Sequence, residues 1–268
     1  KNMFKFSSPD NLFIHSLILT MRKILFRLLC LSLFVVSLSS CEKDKEGTLE
    51  LNFKLMYDGQ PLAMFDKHQY PDGSSIFFDR FNLFLSNSSL MKGGGKEFAF
   101  DVQLLNFSDI QDVDEAQKGL TVSLGAFPSG SYEGLEMGIG IAPELNKTTP
   151  GDHSSSHPLA NHYWEQWSSY IFMTIEGKAD VSGDGKHDLI LTYHIGKDEA
   201  FSSKQYQTPF EIEGGKKTVL EMQIDLLDMM SDDNEYLDIQ ATPIDHSTDP
   251  EVYEFFYKNM PNAIKVNS

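Results

Sequence analysis

Leu49-Glu50-Leu51-Asn52-Phe53-Lys54-Leu55 alternates apolar and polar side chains at every step. Neighbouring side chains of an extended chain point to opposite faces, so this period of two marks a strand with one face buried and the other solvated. Further strands are expected over 77–86, 98–105, 135–141, 170–176, 189–195 and 219–226; in the third of these, Leu135, Met137, Ile139 and Ile141 share one face. Turn chemistry separates the runs at Asp72-Gly73, Gly93-Gly94-Gly95, Pro128-Ser129-Gly130, Gly183-Asp184-Gly185 and Gly214-Gly215, where glycine, proline and short polar side chains favour reversal. Many short strands with punctuating turns predict an all-β fold, an antiparallel β-sandwich with long loops. One short C-terminal helix is expected from Pro250 to Met260, with Asp249 as its cap, Pro250 in its first turn and Val252, Phe255, Phe256 and Met260 on its apolar side. A long polar insertion runs from 146 to 161.

The N-terminal part reads as an address rather than as fold. Met21-Arg22-Lys23 is a short positive region, 24–38 is apolar but for Arg27 and two serines, and Leu38-Ser39-Ser40-Cys41 closes it with small residues before a cysteine. This is the pattern of a secretory signal, and an apolar stretch of roughly fifteen residues is short for a bilayer span of about twenty. The junction resembles a bacterial lipobox, which makes Cys41 the expected site of lipid attachment and the first mature residue. Residues 1–40 are then upstream extension and signal, 41–47 a tether containing Glu42-Lys43-Asp44-Lys45-Glu46, and 48–268 a single domain. The expected location is the cell envelope, lipid-anchored to a membrane and either periplasmic or surface-exposed.

Both cysteines, Cys30 and Cys41, lie in that segment, so the domain itself has no thiol for disulfides, thiolate metal sites or nucleophilic catalysis. It needs a true core, and about 220 residues bury roughly 70% of their unfolded surface. The chain carries a formal net charge of -17; without residues 1–40, which hold five basic groups and one acid, 17 basic residues face 38 acidic ones, a net -21. Polyanions are repelled by such a surface, so no nucleic-acid partner is expected. There is no Gly-x-Ser-x-Gly elbow, phosphate-cradling loop, dinucleotide fingerprint or His-Glu-x-x-His in the sequence, and no enzymatic activity is expected.

Chemistry concentrates in His157-Pro158-Leu159-Ala160-Asn161-His162-Tyr163-Trp164-Glu165-Gln166-Trp167-Ser168-Ser169-Tyr170-Ile171-Phe172 and, downstream, Tyr193-His194-Ile195-Gly196. Neutral imidazoles bind copper and zinc well, and an electron-rich indole beside such a metal can take part in redox chemistry. An aromatic core strand with surface histidines on its approach loop is the other reading of the same residues.

Phe81-Asn82-Leu83-Phe84-Leu85-Ser86-Asn87, Phe127-Pro128-Ser129-Gly130-Ser131-Tyr132, 138–146, the strand from Tyr163-Trp164 to Glu176-Gly177, and His194-Ile195-Gly196 follow one another in an order that resembles the copper-binding family of the methanobactin partner protein MbnP, in its Bacteroidetes lipoprotein branch. The resemblance covers roughly 48–227. It implies a secreted or periplasmic β-sheet protein that binds copper, and a diheme peroxidase-like partner protein that oxidises a tryptophan. This chain departs from the pattern at three points. Its second tryptophan is Trp167 rather than the residue at 166, which on a strand moves it to the opposite face; Ser169 replaces a glycine; and Asn146-Lys147 stands where many members have Asn-His. His162 takes the place of a common methionine, and His153 and His157 lie in the intervening loop.

If the strands holding Trp164 and His194 are neighbours across the turn at 180–188, then His162, Trp164 and His194 converge at one end of a sheet. These three and His157 are the candidate copper ligands. A second candidate is Asp180-Val181-Ser182-Gly183-Asp184-Gly185-Lys186-His187-Asp188, which resembles a short extracellular calcium loop with Asp180, Ser182, Asp184 and Asp188 as oxygen donors. Leu191 stands at the twelfth position, where a full EF-hand has glutamate, so calcium affinity would be in the range of about 10⁻⁴ to 10⁻³ M; an ion-free acidic hairpin turn is the alternative. The functional expectation is a lipid-anchored copper-binding protein for transport, storage or delivery. The alternative is a structural or interaction module of the envelope, engaging a protein or glycan through Tyr163, Trp164 and Trp167.

Overall fold

The computed structural model describes residues 45–232 and 234–267; the signal and the lipidation site at Cys41 lie outside them. The principal strands are β1 (Glu46–Tyr57), β2 (Ser75–Lys92), β3 (Gly95–Asn106), β4 (Leu120–Pro128), β5 (Gly134–Ile139), β6 (Ser169–Asp180), β7 (Leu189–Gly196), β8 (Ser202–Tyr206), β9 (Lys217–Asp225) and β10 (Ile264–Asn267). One sheet runs β10-β9-β1, with β4 also paired to β1; the other runs β8-β5-β2-β6-β7 and ends on the two-residue strand Ile244–Asp245, with β3 also paired to β2. The alternation seen in β1 does what it predicts: Leu49, Leu51, Phe53 and Leu55 are buried between the sheets in one core with Phe81, Leu83 and Leu85 of β2 and Ile175 of β6. Each such side chain contributes about 1.5–3 kcal/mol by leaving water. The protein is an all-β sandwich.

Strand direction departs from the purely antiparallel expectation. β1 and β9 pair in parallel from Thr48↔Lys217 to Met56↔Asp225, and Thr192↔Ile244 and Tyr193↔Asp245 join β7 to its neighbour in parallel. Apolar periodicity specifies which face is buried and carries no information on the direction of a distant partner, so these pairings have no local signal. β4 was not among the expected strands; Leu120, Val122 and Leu124 alternate as the other strands do but are only half-buried, because β4 lies at an edge.

The outer face of the second sheet is not left to solvent. Asn82, Phe84 and Ser86, on the side of β2 opposite the core, are all buried. The chain leaving β5 crosses that face: the Ser86 hydroxyl donates to the Gly140 carbonyl at 2.9 Å and accepts the Ala142 N–H at 2.9 Å. The segment that follows β5 thus covers part of this face.

The C-terminal helix α1 (Pro250–Ala263) begins as expected, with Asp249 accepting the Glu251 N–H at 3.0 Å and Pro250 in the first turn. It buries Val252, Phe256 and Met260, and Phe256 packs on Tyr193 with ring centroids 5.3 Å apart. No helix among the described residues is long and apolar enough to cross a membrane.

β2 bulges against β6, where the register shifts between Glu176↔Arg80 and Gly177↔Phe78. The close approach excludes a side chain: a Cβ on Gly177 would lie 2.1 Å from the Phe77 carbonyl oxygen. Gly177→Ala is therefore expected to lower unfolding free energy by about 1–3 kcal/mol, read as a shift of the urea midpoint without a change in slope; an unchanged midpoint would show that the bulge is free to open.

Candidate metal centre

The turn at 180–188 does bring β6 and β7 together, antiparallel, with Thr174↔His194 and Glu176↔Thr192 in register. On the other side of β6, Thr174 and Glu176 face Asn82 and Arg80 of β2. Arg80, Glu176 and His194 therefore stand in a row on the outer face. One guanidinium nitrogen of Arg80 is 3.2 Å from both Glu176 oxygens, and Glu176 Oε1 is 2.8 Å from His194 Nε2. With the Arg80 guanidinium on its other side, Glu176 is an acceptor toward His194, so Nε2 is the nitrogen that donates to it and Nδ1 is the nitrogen left over. That Nδ1 is buried and has no hydrogen-bond partner, in a side chain only 15% exposed.

The tryptophan segment is not one strand. Tyr163–Trp164 pairs with Ser169 and Tyr170 of β6, and between them Glu165–Trp167 makes a single 3-10 turn that Ser168 reverses at φ 50°. The expectation that Trp167 falls on the face opposite Trp164 is therefore corrected: the turn folds it back, and the indoles stack with centroids 5.0 Å apart and planes at 15°. Trp167 lies against Gly196, where a Cβ would meet its six-membered ring at 3.0 Å and the Tyr170 carbonyl at 2.5 Å. The glycine of His194-Ile195-Gly196 is what lets the indole rest on the strand. Lys197 Nζ lies 5.8 Å from the Trp167 ring, and a cleft of about 310 Å³ opens beside it, lined by Lys147, Ser168, Lys197 and Glu199 among others.

A third imidazole arrives from the C-terminal segment. His246 follows the strand Ile244–Asp245 and stacks on His194, centroids 4.8 Å apart and planes at 13°. Trp164 meets both rings, His194 edge-on at 5.7 Å and His246 at 5.1 Å. The buried Asp245 carboxylate places His246 by gathering the N–H groups of Ser247, Thr248 and Asp249 at 2.9, 3.0 and 3.0 Å. Ser247 pins the turn to β7, donating to the His194 carbonyl at 3.1 Å and accepting the Gly196 N–H at 3.0 Å, while Lys197 Nζ donates to the Ser247 carbonyl at 2.8 Å. The His246 Nε2 is also buried without a partner, and burial, then the neighbouring His194, hold this imidazole below the usual histidine range. Four non-glycine residues around the rings adopt left-handed backbone: His162, Ser168, Lys197 and Ser247, at φ 67°, 50°, 72° and 52°. Such conformations cost about 1–3 kcal/mol each and persist where surrounding contacts over-determine them.

Of the residues the sequence put forward, Trp164 and His194 come into ring contact, while the rings of His162 and His157 pack on other partners. His162 is half-buried on the same outer face with its ring edge-on to Phe84 at 5.5 Å. Burial, and after it the Arg80 charge, hold its pKa below the usual value. His157 stacks on His153 at 4.3 Å, and its Nδ1 accepts the Leu159 N–H at 3.1 Å. In the acidic turn, Asp180 accepts the N–H groups of Gly183 and Gly185 at 2.8 and 2.7 Å and the Ser182 hydroxyl at 3.3 Å, and Asp184 receives both the backbone and the ammonium of Lys186. Asp188 completes the turn before β7. Among the described residues no three His, Cys, Asp or Glu side chains form a metal-holding group. The sequence gives no signal for His246, a single histidine between Asp245 and Ser247 in no motif, because its nearness to His194 arises from the parallel pairing and from the hydrogen bonds that pin the turn to β7.

These features define an all-β sandwich that gathers imidazole and indole rings on the covered face of one sheet. The chain belongs to the MbnP family, whose model matches residues 46–249. Among solved structures, MbnP from Methylosinus trichosporium is similar in fold, with a TM-score of 0.50 and 16% identity over 69% of this chain and 78% of that one. No curated protein sequence matches the chain.

The depressed pKa of His162 has a consequence for stability. A base that is harder to protonate when folded favours unfolding once protons bind. Its penalty is absent above the unfolded value of about 6.5 and grows as pH falls through that value toward the lower folded one. His162→Gln is expected to lose less stability than wild type when urea denaturation is compared above and below about pH 6.5; equal losses would assign the acid sensitivity to other histidines.

Proposed function

We propose that this chain is an envelope copper-binding protein, tethered through lipid on Cys41, that holds the ion at the Trp164–His194 cluster for transport, storage or delivery. The observation that carries this reading is His194, an imidazole oriented through Nε2 by the Arg80-supported Glu176 carboxylate, with a buried Nδ1 that has no hydrogen-bond partner among the described residues. A carboxylate behind a histidine is how proteins fix tautomer and ring orientation in metal sites and raise the basicity of the ligand. Imidazole suits copper, and membership of the MbnP family supports a copper-related role. Copper bound there would supply one-electron chemistry next to an indole. The chain's own residues do the rest: Glu176 orients the donor, and the Trp164–Trp167 stack keeps one side of it dry. The reading includes a diheme peroxidase-like partner that acts on Trp164. The role in this reading is binding rather than catalysis.

Metal analysis after dialysis of the mature protein against Cu(I) or Cu(II) is expected to show bound copper that quenches tryptophan fluorescence. His194→Ala should lose it, and Glu176→Gln should weaken it by about 10- to 100-fold. Absence of copper from the wild-type protein would overturn the reading and favour an interaction module. Mass spectrometry of the native protein should show diacylglycerol on Cys41, and an unmodified cysteine would remove the anchor.

A further inference from the structure

The ring cluster holds two buried imidazole nitrogens with no partner, His194 Nδ1 and His246 Nε2, in rings whose centroids are 4.8 Å apart. Leaving one buried polar atom unsatisfied costs about 1–3 kcal/mol, and two in one stack is an arrangement a purely structural turn would avoid. The turn that delivers His246 is itself elaborate. A buried carboxylate gathers three backbone N–H groups, the Ser247 hydroxyl bridges the backbone on both sides of Ile195, and Ser247 and Lys197 are both left-handed. All of it fixes where the His246 backbone sits, and none of it occupies the ring's Nε2.

The other histidines near this face are set differently. His162 has its ring against Phe84 and lies near the Arg80 guanidinium, whose charge opposes any cation there. His157 accepts a backbone N–H on Nδ1, so its neutral ring carries the proton on Nε2 and offers no second lone pair. Among the described residues, Trp164 meets two imidazole rings, those of His194 and His246.

We propose that His246 supplies the second imidazole of the copper site, joining His194 across the β7 edge, and that His162 takes no part in coordination. This rests on the copper reading above. Lone pairs of stacked rings lie in parallel planes, so sharing one ion requires one ring to turn. His246 is the ring that turns, because Glu176 holds His194 and nothing holds His246 Nε2. Metal binding therefore breaks the imidazole stack.

The test is competition for Cu(I) against a chromophoric chelator, run on wild type and on His246→Ala, His246→Asn, His194→Ala and His162→Ala, with circular dichroism confirming each fold. Loss of affinity in the His246 and His194 variants should exceed the roughly 10- to 100-fold that removal of a supporting partner costs, and His162→Ala should bind as wild type does. In the metal-free wild-type protein, NMR should show the ring resonances of His194 and His246 shifting on Cu(I) addition while those of His162 stay fixed; this readout also serves if a His246 variant does not fold. Wild-type affinity in a folded His246 variant, or loss of affinity or a ring shift at His162, overturns the assignment and leaves the copper reading standing. Failure of the wild-type protein to bind copper removes both.

Discussion

The row Arg80–Glu176–His194 ties three strands of one sheet together through a single carboxylate, and the chemistry of the outer face depends on it. Without Glu176 the His194 ring would be free in orientation and in tautomer. With it, one nitrogen is committed to the protein and the other is presented in a fixed direction. Arg80 braces the carboxylate from the other side, and it reaches it because β2 and β6 are held in register up to the bulge at Gly177. Glu176-Gly177 is therefore one device: the first residue orients the imidazole and the second admits the neighbouring strand closely enough for the row to form.

A similar economy links His194 and Gly196. The histidine projects outward from β7, and two residues on, the missing side chain leaves room for Trp167. Through the Trp164–Trp167 stack, that room also sets the indole that borders both imidazoles. The left-handed residues that make these approaches possible are conformationally costly, and they are stabilised by a polar lattice on the same face. Asn146 accepts the Tyr170 N–H at 2.9 Å and the Ser169 hydroxyl at 3.1 Å, and Ser169 in turn accepts the Lys197 N–H at 3.1 Å. The serine at 169, which departs from the glycine of the family pattern, thus carries a hydroxyl that the lattice uses.

The charge of the chain fits this chemistry without specifying it. A net -17 favours cations near the surface and discourages polyanions, but selection of one ion falls to the donor set. In the proposed site that set is two imidazole nitrogens in a half-buried aromatic setting, with no cysteine among the described residues.

Local pattern in the chain was sufficient for the β class, for the buried face of β1 and β5, and for the capped helix α1, because each depends on interactions between residues close in sequence. It also marked Trp164 and His194, whose residue types and hairpin proximity are local facts. It misled on Trp167, since a strand was assumed where one 3-10 turn restores the indole to its partner's side. It was silent on His246, on the parallel pairing of β1 with β9, and on the cover over Phe84 and Ser86. Those were decided by the tertiary structure, because strand direction and the meeting of distant segments depend on backbone hydrogen bonds between residues far apart, which side-chain periodicity does not encode.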